Sequence, residues 1–267
     1  MLSFAGSDFR YFKKKFFFSF LLSKIGLLIA LCYGITNLAF NWAIAEGNVV
    51  RVVFLFYLMP IWASIFAVIL IKEKPTLLSL IAIVIAIAGA FLILIYDPWS
   101  TIFVSVENFL TIGKADFLAI VGGIFFGLGN VLIRKTTRIT SLLKTFAIFF
   151  GTFLVAAIFL LINHVLHWTG NFLTLNTITP ELFTDFMFLL TFFSFVIGLG
   201  LANFLLQLGA SKLPVYITST LLMFEIIVAM ISTNILQVSP LQFHEFIGGV
   251  LVLIAASLMI ISTAKKT

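Results

Sequence analysis

Charged residues are scarce in this chain. Only 10% of its 267 residues are Asp, Glu, Lys or Arg, whereas 62% are hydrophobic. Because soluble domains carry roughly 25% charged residues, a chain of this composition cannot hide most of its apolar surface from water. The shortage of charge excludes a soluble globular protein and indicates a protein that crosses a membrane several times.

Cysteine is almost absent, since Cys32 is the only one. One thiol excludes a disulfide within the chain and a thiolate metal cluster built by one subunit. His164, His167 and His244 lie near predicted span ends without a carboxylate or cysteine array around them. Glycine-rich phosphate loops and nucleophile–base constellations are missing as well. We therefore expect no metal, no cofactor and no enzymatic activity.

Long apolar segments, separated by short polar connections, dominate the sequence. Crossing a ~30 Å hydrocarbon core takes about 20 residues, and eight segments come close to this length. They cover residues 25–45, 52–71, 77–96, 117–133, 145–166, 186–208, 214–236 and 242–262. The sequence thus predicts an all-α polytopic membrane protein with about eight transmembrane helices.

The basic residues lie almost entirely on one side of these spans. Of the sixteen lysines and arginines, only Arg51 and Lys114 fall in connections assigned to the other side. Since cytoplasmic loops carry the excess of Lys and Arg, we predict that both termini are cytoplasmic, in a bacterial plasma (inner) membrane. The net charge of +6 then reflects orientation, and we expect no nucleic-acid partner.

Two stretches about 165 residues apart are imperfect copies of each other. The first, 34–94, has an apolar span centred on Pro60, a polar interruption and a second apolar span. The second, 198–261, has a span centred on Glu225, a break at 237–240 and another span. The charge distribution makes equivalent spans cross in opposite directions. Inverted repeats of this kind frame a transporter site at mid-membrane depth.

Particular motifs strengthen this interpretation. They are Phe56-Tyr57-Leu58-Met59-Pro60-Ile61-Trp62, the polar segment Lys72-Glu73-Lys74-Pro75-Thr76, the helix opening across 116–135 and the Glu225 span. In these motifs the chain resembles the EamA-type drug/metabolite transporter superfamily. It departs from the family in having Lys72-Glu73 where Gly-Glu is usual and Glu225-Ile226 where Glu-Pro is frequent.

The resemblance implies a domain organisation. Members of the family usually have ten spans in two inverted halves of five. An incomplete first repeat of three spans would therefore occupy 1–96, an outer loop 97–115, and a second repeat of five spans 116–264. The first two spans of the family would be absent from this sequence.

The resemblance also implies a function, namely a secondary transporter that exports small polar metabolites such as amino acids by alternating access around a midplane site. Its partners would be the lipid bilayer and a small-molecule substrate, with protons and a second copy of the chain, as a homodimer, as further candidates. The alternative is a truncated, non-transporting remnant or a membrane assembly partner that lacks two spans.

Glu225 is the only acidic residue near the middle of any predicted span. A carboxylate there costs roughly 3 kcal/mol on insertion scales, so we expect it to face the protein interior or a wet cavity, and burial favours its protonated form. Thr218 and Ser232, seven residues to either side, would share its helical face. Proton coupling, a counter-charge for a cationic or zwitterionic substrate, and a structural hydrogen bond all stay open.

Amide side chains recur at equal spacing in both halves. Asn37 and Asn41 are four residues apart, as are Asn203 and Gln207, and the two pairs correspond across the repeat. Such amides either line a substrate cavity or bridge helices, the latter worth about 0.6 kcal/mol on average. Because the pattern occurs twice, the two interpretations carry equal weight.

Pro60 and Tyr57 form a third candidate face. Proline removes an N–H donor and kinks a helix, and a transporter can use such a kink as a gate. A packed kink without a gating role explains Pro60 equally well. Tyr57 is suited to stacking on an aromatic substrate, although packing against core or lipid is the simpler role in a chain with 16% aromatic residues.

Overall fold

The computed structural model describes residues 20, 23–47, 49–94, 113–137, 139–166, 185–235 and 243–264. Every regular element within these residues is an α-helix, which confirms the predicted fold class. In chain order the helices are α1 Lys24–Glu46, α2 Val49–Phe56, α3 Met59–Ile71, α4 Leu77–Leu94, α5 Lys114–Lys135, α6 Ser141–Leu166, α7 Phe186–Ala210, α8 Val215–Leu222, α9 Phe224–Ile235 and α10 Phe243–Ala264.

The helices fit a protein that crosses the membrane several times. Within the described ranges, five helical stretches are long and apolar enough to span a bilayer, and three further apolar helices are shorter. Most boundaries agree with the predicted spans within two residues, but α2 begins at Val49, α5 at Lys114 and α6 at Ser141, earlier than the predicted starts at 52, 117 and 145. The chain is an integral membrane protein.

Several parts of the predicted domain organisation fall outside the described residues. They include nearly all of the chain before residue 23, most of the outer loop at 97–115 and the break at 237–240. The division into an incomplete repeat and a five-span repeat therefore stays a prediction.

Two of the predicted spans contain a turn within their length, one of them beside Pro60, where the sequence predicts a kink. The span at 52–71 divides into α2 and α3 at a turn over Tyr57 and Leu58, and the span at 214–236 divides into α8 and α9 at Met223. Pro60 lies in the first turn of α3. Backbone N–H groups in the first turn have no partner within the helix, so proline costs no hydrogen bond there. The break precedes the proline, and its counterpart at Met223 contains none.

The two broken spans meet in the largest hydrophobic cluster of the described chain. Tyr57 and Met59 from the first break lie in one cluster with Met223 and Ile226 from the second. α4 and α10 pack beside them as the most extensive helix pair. The two helices are in close contact, since a Cβ added to Gly89 would stand 2.7 Å from the carbonyl oxygen of Gly248. A small residue is therefore needed at position 89.

α1 and α7 differ sharply in how they are packed. α1 is enclosed between α5 and α6, and it touches α6 so closely that a Cβ on Gly34 would stand 2.5 Å from the carbonyl oxygen of Gly151. Of α7, only Gln207 and Ala210 are buried. Within the described part of the chain, α1 is thus a core helix and α7 a peripheral one.

Candidate functional site

A cavity of about 360 Å³ lies beside the middle of α1, α5, α6 and α7. This volume falls in the range of small-molecule sites, roughly 300–1,000 Å³. Its polar lining is contributed by three of these helices, α1, α6 and α7, and consists of Tyr33, Thr36, Asn37, Asn41, Thr152 and Asn203. Three of the predicted site residues, Asn37, Asn41 and Asn203, are therefore brought together.

The amides of α1 are held by the helix itself. Because four residues make slightly more than one helical turn, Asn37 and Asn41 lie on one face of α1. Asn37 Nδ2 donates to the Tyr33 carbonyl oxygen and to Thr152 Oγ1, both at 2.9 Å. Asn41 Nδ2 donates to the Asn37 carbonyl oxygen at 2.7 Å. The nitrogens are thus engaged within the protein, whereas the amide oxygens accept no hydrogen bond from a described residue.

Asn203 repeats this arrangement in the second half of the chain. Its Nδ2 donates to the carbonyl oxygen of Leu199 at 3.0 Å, four residues earlier on α7. Asn37, its predicted counterpart across the repeat, is bonded back in the same way. Two asparagines that the sequence predicts to be equivalent therefore line one cavity, and each donates to the carbonyl oxygen four residues earlier.

Gln207 is placed outside this cavity, in a buried polar group with Tyr33 and Asn130. Tyr33 Oη donates to Asn130 Oδ1 at 2.9 Å, and the Gln207 amide lies near the same hydroxyl without meeting hydrogen-bond geometry. Asn130 Nδ2 and both amide atoms of Gln207 find no partner among the described residues. This group therefore has unused hydrogen-bonding capacity. Each unpartnered atom costs about 1–3 kcal/mol of stability.

Glu225 and Tyr57 connect the two helix breaks. Tyr57 Oη donates to Glu225 Oε2 at 3.1 Å. Glu225 was expected to face the interior or a wet cavity. Its side chain is exposed at the start of α9, is hydrogen-bonded to the buried Tyr57 and does not line the cavity described above. The reason is the direction of α9, whose buried Ile226 and Ile227 occupy the core-facing side and leave Glu225 on the uncovered one.

The polar face predicted around Glu225 is divided by the break at Met223. Thr218 lies on α8, where it is buried and donates to the Pro214 carbonyl oxygen at 3.4 Å. Ser232 lies on α9 and is exposed. Pro60 is also buried, and its carbonyl oxygen accepts a hydrogen bond from Ser64 Oγ at 2.7 Å. Thr218, Ser232 and Pro60 do not line the cavity.

A polar network joins several helix ends on the predicted cytoplasmic side. Arg134 Nε lies 3.0 Å from Glu73 Oε1, and Arg134 Nη1 donates to the Ser211 carbonyl oxygen at 2.9 Å. The second carboxylate oxygen of Glu73 accepts from the Val215 backbone N–H at 3.3 Å. Lys144 Nζ donates to Ser211 Oγ at 2.7 Å. The network ties the ends of α3, α5, α6, α7 and α8 together.

Lys72 explains how Glu73 reaches this network. Its φ of 58° is the one positive value at a non-glycine residue in the described backbone, and it ends α3 in the left-handed conformation. Glycine adopts that conformation without steric cost, which accounts for the Gly-Glu usual in the resembled family. The sequence indicated a polar interruption here, but not its partner Arg134, which lies 61 residues away.

Two ion pairs occupy the opposite end of the helices. Arg51 Nε lies 2.7 Å from Asp116 Oδ1, and Lys114 Nζ lies 3.0 Å from Glu46 Oε1. The two basic residues assigned to the outer side are therefore both matched by carboxylates.

The thiol and the candidate metal ligands of the described residues lie apart from the cavity lining. Cys32 is buried and free, and no group of three His, Cys, Asp or Glu side chains among them could hold a metal ion. The residues lining the cavity are uncharged. Such a site is suited to binding a solute through hydrogen bonds and apolar contacts.

The family model of the EamA-like transporter family matches residues 9–95, a stretch that contains α1 to α4. This part of the chain is EamA-like. The match confirms the EamA-type drug/metabolite transporter resemblance that the motifs predicted. It indicates a membrane transporter in general, and the family is not typically one of enzymes.

A solved structure, titled only as the crystal structure of a protein, is similar to this chain. The TM-score is 0.66 at 13% sequence identity, and the match covers 91% of this chain and 78% of the other. At this identity the similarity shows a shared fold alone. No curated protein matches the chain.

Proposed function

We propose that the EamA-like chain is a secondary transporter that exports small polar metabolites, with amino acids as the first class to test. The observation that carries the proposal is that Asn37 and Asn203 line one cavity at the middle of their helices. Transporters built from inverted repeats bind their substrate where the repeats meet, near the midplane. The substrate class and the outward direction come from the EamA-type resemblance.

Alternating access is the proposed mechanism. The network around Arg134 and Glu73 ties the predicted cytoplasmic ends of the helices, so it would have to separate for the cavity to open inward. The breaks at 57–58 and 223 divide two central spans into half-helices. Discontinuous helices let one half tilt while the other stays packed, which is a common device in transporters.

The proposal includes an orientation and a domain organisation. The distribution of basic residues supports cytoplasmic termini in a bacterial inner membrane. The first repeat would occupy 1–96, the outer loop 97–115 and the second repeat 116–264. Because the sequence contains no ATP-binding motif, an ion or substrate gradient would supply the energy.

The purified chain in proteoliposomes tests the transport proposal. Preloaded vesicles should exchange at least one labelled amino acid faster than protein-free vesicles. Asn203→Leu should lower the initial rate about tenfold, because a lost hydrogen bond to substrate is worth roughly 1.4 kcal/mol. Ser257→Leu is the matched control, since Ser257 is exposed and makes the same kind of bond to the carbonyl oxygen four residues earlier. Equal rates for the two variants would contradict the assignment of the cavity.

Glu225 provides a test of proton coupling in the same vesicles. A carboxamide cannot release a proton, so Glu225→Gln should abolish the uptake driven by a pH gradient and leave exchange without a gradient. Tyr57→Phe is the control, because it removes the hydrogen bond to Glu225 and keeps the carboxyl group. An unchanged response to the pH gradient in Glu225→Gln would exclude this residue from coupling.

A second candidate function is that of a truncated remnant or a membrane assembly partner that does not transport. The exposure of α7, in which only Gln207 and Ala210 are buried, favours it, because a helix with so little packing can receive a partner. Absence of any exchange activity would support this alternative. An in-frame upstream sequence that encodes two more apolar spans would support the transporter.

A further inference from the structure

We infer that the cavity selects solutes by a hydrogen-bond-donating end, a protonated amine above all, carried on an apolar body, and that it disfavours carboxylates. This inference rests on the proposed function, since it names the substrate class of the same cavity. Within the small polar metabolites proposed above, it favours amines without a carboxylate over amino acids.

The first argument is that the hydroxyl donors of the cavity wall are already used. Tyr33 Oη donates to Asn130 Oδ1 at 2.9 Å. Thr36 Oγ1 donates to the Gly122 carbonyl oxygen at 3.3 Å, and Thr152 Oγ1 donates to the Ile148 carbonyl oxygen at 2.9 Å. A hydroxyl has one hydrogen to give, so these three groups can only accept from a solute in this conformation.

The amides of the wall are engaged through their nitrogens, fully at Asn37 and by one of two hydrogens at Asn41 and Asn203. Asn37 Nδ2 uses both of its hydrogens, one on the Tyr33 carbonyl oxygen and one on Thr152 Oγ1. Asn41 and Asn203 each use one hydrogen on a carbonyl oxygen of their own helix. Because a carbonyl oxygen only accepts, these bonds determine which amide atom is nitrogen.

Three amide oxygens consequently remain available. The Oδ1 atoms of Asn37, Asn41 and Asn203 receive no hydrogen bond from any residue that the structure describes, and none of them is among the buried unpartnered atoms. Each is directed away from the carbonyl group that binds its nitrogen. An ammonium group has three donors and no acceptor, which matches this arrangement.

The apolar wall favours the same ligand. Phe40 and Phe56 have ring centroids 4.5 Å apart, and Phe56 and Phe126 5.6 Å apart, so they form a continuous aromatic surface beside the amides. Aromatic faces attract cations and also pack against an apolar body. An unpaired ion of either sign is costly to bury, but an ammonium would meet amide oxygens and aromatic rings here, whereas a carboxylate would meet no lysine or arginine among the lining residues.

Calorimetric titration of the purified chain in detergent tests the inference with two probes of similar shape, 2-phenylethylamine and 3-phenylpropionate. The amine should bind at least about tenfold more tightly than the carboxylate. Asn203→Asp keeps an acceptor and adds a negative charge, so it should tighten amine binding several-fold, whereas Asn203→Leu should weaken it. Ser257→Leu, far from the wall, should match the unchanged protein.

Equal or tighter binding of the carboxylate, or no binding of the amine at millimolar concentration, would overturn the inference. The readout does not depend on transport. Amine binding without any flux would remove the proposed transport function and leave the inference standing. Flux of amino acids together with tighter binding of the carboxylate would support the proposed transport function and overturn the inference.

Discussion

Gly34→Ala is expected to destabilise the chain, while Gly200→Ala, on α7, is expected to leave stability unchanged or raise it. A Cβ on Gly34 would stand 2.5 Å from the carbonyl oxygen of Gly151 and 2.5 Å from a methyl group of Val155. Overpacking of this kind costs typically about 1–3 kcal/mol, and a backbone oxygen cannot rotate away.

Gly200 is the matched control for this experiment. A Cβ there would meet nothing within 4 Å in the described chain, so alanine adds only its helix propensity, worth about 1 kcal/mol over glycine. Thermal unfolding in detergent, followed by circular dichroism, should show a lowered midpoint for Gly34→Ala alone. If both variants lowered the unfolding midpoint equally, the close contact of α1 and α6 would not be the cause. A loss at Gly200 in membranes but not in detergent would indicate a helix packed on α7.

The second large effect is expected for Asp116→Ala at the outer end of the helices. This substitution should lower the free energy of unfolding by about 3–5 kcal/mol, because removal of one partner of a buried ion pair usually costs that much. Asp116 Oδ1 lies 2.7 Å from Arg51 Nε, and the side chain of Asp116 is only 9% exposed. Its other oxygen accepts the Gly113 N–H at 2.8 Å at the start of α5. Alanine removes both the charge partner and this cap.

Glu46→Gln provides the comparison for Asp116→Ala, since Glu46 pairs with Lys114 in a more exposed setting, with side-chain exposures of 28% and 58%. Exposed pairs contribute about 0–1 kcal/mol. Chemical denaturation of both variants in the same detergent measures the difference. If Asp116→Ala lowered the free energy of unfolding no more than Glu46→Gln does, the ion pair of Asp116 with Arg51 would not contribute to stability as a buried pair.

Part of the candidate site could be predicted from spacing alone. Asn37 and Asn41 lie one turn apart, and Asn203 repeats Asn37 in the second half, so the pattern placed them on equivalent helix faces. Thr152 and Asn130 could not be found this way. Their partners Asn37 and Tyr33 are 115 and 97 residues away in sequence, and only the packing of α1 between α5 and α6 brings them together.

The sequence by itself determined that this is a helical membrane protein, because apolar length and charge distribution act on each span separately. It also indicated the EamA-like repeat and the amides that occur in both halves. Only the tertiary structure decided where the spans break, which of those amides share a cavity, and that Glu225 lies on the uncovered side of α9. The reason is that breaks, cavities and exposure arise from contacts between helices distant in sequence, which no local pattern contains.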